Sequence, residues 1–163
     1  MANRILLSLQ EELIPPAWFD GAKIESYVQR VLQKLGYDGE EISILFCNDE
    51  YIQELNKNYR QIDSATDILS FENGEVYTDE EGEWLSAGDI ALSLETLPKN
   101  ADYFKVSENE ELKRLLIHGV LHLNGYDHGE AHIEQGVAPT DEMLVLQEKT
   151  LKDFGDVILI NEK

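Results

Sequence analysis

The chain is predicted to fold as one α/β domain of the α+β type, spanning residues 1–163, with a mixed sheet of about four strands covered by helices. Three observations predict it. The length suits one domain with an independent core, and no repeat, low-complexity tract or Pro/Gly-rich linker divides it. Short β-branched and aromatic runs alternate with segments of helical period in the first half. Helical patterns then crowd the C-terminal half. The resulting order, β-α-β-α-β-β-α-α-α, belongs to a sheet with helices packed on it.

Each element has its own signal. RILLSLQ (4–10) reads as a first strand. Asp20 can cap a helix that carries Ile24, Tyr27, Val28, Val31, Leu32 and Leu35 on one face and stops at Gly36. EISILFC (41–47) reads as a buried strand, and Asn48 caps a short helix through Tyr59. QIDSATDILSFE (61–72) begins as a polar loop and ends as a strand, with AGDIALS (87–93) as its hairpin partner. Between them, ENGEVYTDEEGE (72–83) has the Asn and Gly of a turn and reads as an exposed acidic hairpin tip. Ser93 can cap the next helix, where Pro98 is tolerated only in the first turn or as a break. Ser107 and Glu110 make a capping-box pattern at the head of SENEELKRLLIHGVLHLNG. A last helix is expected from about Thr140 to Gly155, and DVILI (156–160) is either a tail strand or a docked extension.

Composition narrows the functions. The chain carries 33 acidic and 13 basic residues, a net charge of −20. That balance argues against broad nonspecific binding of nucleic acid, which relies on many Lys/Arg–phosphate contacts, but leaves room for a local basic site. A single cysteine, Cys47, excludes an internal disulfide framework. No apolar run approaches the length that spans a bilayer, and MANRILLSLQEELIPP lacks the pattern of a signal peptide. Together these favour a cytoplasmic protein with no membrane partner.

The chemistry concentrates in IHGVLHLNGYDHGE (117–130), which holds His118, His122 and His128. Residues four apart on a helix project side by side, so His118 and His122 share a face. Gly125 can end the helix in the left-handed conformation and let the chain return, bringing His128 to the same point. Three imidazoles arranged this way can hold zinc and leave a fourth position open for water or substrate. Nickel, copper or cobalt would also suit them. The plainer alternative is two core histidines bonded to backbone carbonyls, with His128 at the surface. His132 lies in a polar stretch and is expected to be a surface residue outside the site. The spacing H-x-x-x-H-x-x-G-x-x-H is also that of the metzincin metalloproteases, which place glutamate directly after the first histidine as general base. Here that position is Gly119, so peptidase chemistry of that type is disfavoured while the metal reading stands.

HGVLHLNGYDH (118–128) closely resembles the signature of the YbeY family, metal-dependent endoribonucleases of bacterial ribosomal RNA maturation. NKNYRQIDSATDILSFE (56–72), GDIALS (88–93) and DEMLVLQEKTL (141–151) resemble further blocks of that family, in the same order. The segment GEAHIEQGVAPTDEM after the motif departs from the family's pattern, being longer and more polar. The resemblance implies one zinc ion per chain on His118, His122 and His128, a functional Arg60, and action on single-stranded ribosomal RNA together with the small ribosomal subunit and its associated factors.

Elementary chemistry fits those roles. A guanidinium such as Arg60 can grip a phosphate through two parallel hydrogen bonds, although a surface arginine among so many acids can equally be an ion-pair partner. Asp67 and Asp89 stand at strand edges near the expected site, where they can orient a ligand or take a proton; Asp67 can instead bond the turn backbone. Asp127 is expected to support a ligand from behind or to fix its loop. Met143 can pack beneath the metal or belong to the core. Lys57, Arg60, Lys99, Lys105, Lys113 and Arg114 are expected to form a basic groove around the site. The competing functions are a metallohydrolase of peptide or small-molecule substrates and a noncatalytic, metal-binding ribosome assembly factor.

Overall fold

The computed structural model describes residues 2–129, 133–134 and 137–161. Within them the elements run β1 (Arg4–Leu9), α1 (Gly21–Leu35), β2 (Glu40–Cys47), α2 (Asp49–Arg60), β3 (Ile68–Asp79), β4 (Gly82–Ser93), α3 (Thr96–Phe104), α4 (Glu108–Leu123) and α5 (Glu142–Asp153). The order is the one expected. The surface position expected for His132, and much of the polar stretch around it, lie outside the described residues.

The sheet order is β1-β2-β4-β3. β1 runs parallel to β2 and β2 parallel to β4, while β3 pairs antiparallel with β4 and forms an edge. One face carries the main core, where Ile42, Ile44, Phe46, Ile90 and Leu92 of the strands meet Leu32 of α1 and Leu116 and Val120 of α4. The other face carries a smaller cluster of Cys47, Ile52, Leu69 and Ala91, covered by α2. Strand alternation therefore decides which residues look toward α4 and which toward α2.

Caps hold the helices where the sequence signals them. Asn48 accepts from the Tyr51 N–H at 2.9 Å, and Ser107 accepts from the Glu110 N–H at 3.0 Å. Ser93 accepts from the backbone N–H groups of Glu95 and Thr96, so it anchors the entry to α3, and Pro98 falls in the first turn. α5 begins at Glu142, two residues later than expected, because Asp141 caps it by receiving the N–H groups of Met143 and Leu144.

One expectation is corrected, and one left open is decided. The acidic segment 72–83 is mostly strand rather than a loop tip: pairing continues through Glu75↔Ser86 to Asp79↔Gly82, and the turn is confined to Glu80–Glu81. Asn73 and Gly74 form an irregularity in the ladder instead of the turn. The reason is that backbone pairing tolerates solvated acids, while Trp84, buried on β4, ties the far end of the hairpin to the body. DVILI is a docked extension rather than a strand. Asn109 Oδ1 accepts from the N–H groups of Leu159 and Ile160 at 2.6 and 3.0 Å, and both side chains are buried.

Candidate metal centre

α4 brings two of the three histidines together, and its C-terminus brings the third. Gly125 adopts φ +89° just past the helix, its N–H bonds the His122 carbonyl, and the Tyr126 N–H bonds the Leu121 carbonyl at 3.1 Å. This pattern of closing hydrogen bonds turns the chain back on itself. The His118 and His122 rings lie 4.6 Å apart, and the His128 ring lies 5.1 and 5.2 Å from them. One nitrogen from each ring falls within 4.8 Å of the others, a group able to hold a metal ion.

Hydrogen bonding sets which nitrogens face inward. His118 Nδ1 sits 2.6 Å from Gln147 Oε1, and His122 Nδ1 sits 3.1 Å from the Tyr126 carbonyl. Both partners are acceptors, so both Nδ1 atoms carry protons. The two Nε2 atoms then present lone pairs to each other across 3.1 Å. Two neutral imidazoles in that pose repel unless a cation lies between them. Burial holds both in the neutral form, lowering the His118 pKa to about 4 and moving that of His122 in the same direction. Neutral imidazoles with the outer N–H bonded to a protein oxygen are the usual form of histidine ligands. The donor set fits a metal.

Gly119 has a physical reason. A Cβ there would lie 2.7 Å from Ile90 Cδ1 and 3.2 Å from Ile68 Cδ1. The position expected to carry a peptidase glutamate therefore points into the sheet, against packed isoleucines.

A cleft of about 1060 Å³ opens in front of the histidines. Arg60 reaches it from the C-terminal end of α2. Its Nη2 donates to the Ser70 carbonyl at 2.6 Å, and its guanidinium lies 5.5 Å from the Phe71 ring centre. Asp67 also lines the cleft, but its carboxylate accepts from the Ile68 N–H, the Thr66 hydroxyl and Asn100 Nδ2. Burial pushes its pKa up. Asp127 lines the cleft and accepts from the Gly129 N–H at 3.1 Å, which fixes the loop bearing His128 and lowers its pKa.

Asp89 does not line the cleft. Its neighbour Ile90 faces α4, so alternation turns Asp89, which is exposed, to the opposite face of the sheet. Met143 belongs to the core. The expected basic groove is also corrected. Lys113 is buried and donates to the carbonyls of Phe154 and Val157, Arg114 is held by Glu111 and Glu148, and Lys99 pairs with Asp49. Three of the six cations are thus committed to structure.

The sequence motifs do not single out Gln147. It is buried on α5 between Met143, Leu144, Thr150 and Leu151, and a polar residue on that otherwise mostly apolar face was its signal. No sequence pattern marks Ser70 either. Its Oγ is buried at the cleft, with no hydrogen-bond partner among the described residues.

Comparison with known proteins extends the picture. A family model described as Endoribonuclease YbeY matches residues 17–155. An "Endoribonuclease YbeY" of Treponema denticola is 48% identical over 155 residues, covering 94% of this chain and 99% of the relative. That of Treponema pallidum is 43% identical over 157 residues, covering 96% and 92%, and that of Aquifex aeolicus is 38% identical over 133 residues, covering 82% and 83%. The solution structure of TM1509 from Thermotoga maritima is similar with a TM-score of 0.57 at 25% identity, covering 93% of this chain and 90% of that one.

Proposed function

The chain belongs to the endoribonuclease YbeY family, and from that premise we propose a zinc-dependent endoribonuclease that cuts single-stranded RNA in maturation and quality control of the small ribosomal subunit. The observation that supports the metal most directly is the pair of Nε2 lone pairs facing each other across 3.1 Å. His118, His122 and His128 are the proposed ligands. When bound, the ion supplies Lewis acidity toward a phosphoryl oxygen and lowers the pKa of water near it.

The chain's own residues do the rest. Gln147 and the Tyr126 carbonyl orient two of the imidazoles. Arg60 is the proposed phosphate clamp. The Ser70 carbonyl engages one of the five N–H donors of a guanidinium and the Phe71 ring lies 5.5 Å from it, two contacts that favour one placement of the side chain and leave other donors for a phosphate. Asp127 holds the His128 loop. Asp67, tied by hydrogen bonds at the cleft wall, shapes the strand entrance. Asp89 has no part in this reading.

The net charge of −20 and the commitment of Lys99, Lys113 and Arg114 to ion pairs and carbonyls leave little general attraction for RNA. Docking on the ribosomal subunit and its factors, in the cytoplasm, supplies the missing affinity in this proposal. Among the described residues no helix is long and apolar enough to cross a membrane. Packing at Gly119 counts against the peptidase alternative.

The test uses zinc-loaded protein and the His118→Ala/His122→Ala variant with single-stranded ribosomal RNA fragments and with a peptide library. RNA cleavage by the wild type, lost in the variant, is expected. Intact RNA at full zinc content overturns the nuclease reading, and peptide cleavage replaces it with a hydrolase of another class. Elemental analysis of protein purified without added metal checks the choice of zinc.

A further inference from the structure

His118 is oriented by a side chain that is itself oriented. The Gln147 amide has two ends, and only its oxygen can accept from the His118 Nδ1–H. The amide could in principle present its NH2 instead. What prevents this is Glu148: its Oε2 accepts from Gln147 Nε2 at 3.0 Å. A carboxylate cannot donate, so the amide nitrogen must face Glu148 and the oxygen must face His118.

Glu148 is in turn fixed. Arg114 donates to it through Nε at 2.9 Å and through Nη2 at 3.0 Å, a two-point grip. The remaining nitrogen, Nη1, donates to Glu111 Oε1 at 2.8 Å, and Glu111 is almost fully buried. Arg114 and Glu111 sit on α4, the helix that carries His118, one or two turns earlier. Gln147 and Glu148 sit on α5. The chain of contacts therefore locks α5 to α4 at the height of the ligand.

We propose that Glu148 is a positioning residue that acts on the metal through Gln147, fixing His118 as the Nδ1–H tautomer so that Nε2 is the ligand atom. The arrangement places a neutral amide against the ring and keeps the carboxylate charge one residue away, where Arg114 neutralises it. The trio then faces an anionic substrate without a negative neighbour at His118. This inference rests on the metal reading of the three histidines given above.

The test reads tautomers and zinc affinity, not turnover. Nitrogen-15 NMR of the zinc-free full chain at neutral pH is expected to show His118 as one tautomer with the proton on Nδ1. In Gln147→Leu and in Glu148→Ala both tautomers of His118 become populated. His122 keeps its single tautomer in both variants, because the Tyr126 carbonyl fixes it independently. That signal also certifies that the variants remain folded at the site. Competition against a chromophoric chelator is expected to show zinc binding weakened about 10–100-fold in Gln147→Leu and about 10-fold in Glu148→Ala. Glu148→Gln, which keeps an acceptor oxygen, should recover most of the loss.

An unchanged His118 tautomer in Glu148→Ala, with zinc affinity within about twofold of wild type, overturns the proposal. A wild-type chain that shows the single tautomers and binds no zinc overturns instead the metal reading on which it rests. The two failures are distinguishable in the same samples.

Discussion

Two arginines in this molecule are each surrounded by three carboxylates, and they do different things. Arg114 reaches Glu110 at 3.7 Å, Glu111 at 2.8 Å and Glu148 at 2.9 Å. Arg4 reaches Glu41 at 3.5 Å, Asp79 at 3.0 Å and Glu81 at 2.9 Å. The inventories match almost pair for pair, and the surroundings do not. The Arg114 side chain is 11% exposed and that of Glu111 2%, whereas Arg4 is 25% exposed and Glu81 71%. Water screens the second cluster, whereas in the first the Arg114–Glu111 pair is shielded from it and only Glu110, 44% exposed, is well solvated. A buried cluster punishes the loss of any member, because the partners left behind cannot be solvated. A solvated cluster has little to lose. The buried one also touches the candidate metal centre through Gln147, which contacts His118, one of the proposed ligands.

The largest effect that tests this contrast is expected from Arg114→Ala. It strands Glu111 and half-buried Glu148 in the interior and should cost about 3–5 kcal/mol, read as a lower urea midpoint at unchanged slope. Zinc affinity should fall with it, because Glu148 loses the grip that orients Gln147. A loss no larger than that of a surface substitution would break the comparison at its root.

Next in size is the pH dependence carried by Glu111. Burial pushes its pKa up from 4.5 to about 7, against the pull of Arg114. The sign follows from the direction of that shift. Between those two pH values the folded chain binds more protons at Glu111 than the unfolded chain does. The contribution is therefore complete below about pH 4.5 and is lost as pH rises through about 7. Its size is about 3 kcal/mol. Glu111→Gln removes this dependence, so the stability difference between variant and wild type, measured by urea denaturation at pH 5 and pH 8, should swing toward the variant as pH rises. A difference independent of pH would show that Arg114 keeps Glu111 ionised throughout.

The same contrast explains what could be read from the chain and what could not. The histidine cluster was legible because helical period, Gly125 and the return to His128 are all local in sequence. Caps at Asn48 and Ser107 were legible for the same reason. The roles of Lys113 and Arg114 were not. In sequence they are two cations among six near the site, and only the arrival of α5 and the C-terminal extension shows that carbonyls and carboxylates have claimed them. Asp89 stands on a strand near the site, but a place on a strand does not say which face a side chain takes, and alternation sends Asp89 and Ile90 to opposite faces. The acidic hairpin looked like a loop because charge and Gly/Asn content mark solvent exposure, and an edge hairpin is exposed without ceasing to be paired. Gln147 shows the limit most clearly. A polar residue on an otherwise mostly apolar face announces that it has a partner, but the partner lies 29 residues away.

The smallest effect is expected at Arg4, and it separates charge from packing. The guanidinium carbon lies 4.1 Å from the Trp84 ring centre, and Trp84 is buried, so the side chain covers an aromatic surface as well as meeting three acids. If the acids matter little, Arg4→Met, which keeps an apolar stem over Trp84, should shift the melting temperature by about 2 °C or less. Arg4→Ala should shift it further, because it uncovers the ring. In about 1 M salt, where charges more than roughly 3 Å apart are screened, the small gap between wild type and Arg4→Met should close while the gap to Arg4→Ala persists. A large, salt-sensitive loss in Arg4→Met would mean that the exposed cluster acts as a cooperative network tying the hairpin to β1. Burial would then no longer be what distinguishes the two arginines, and the difference between them would have to lie in what each one connects.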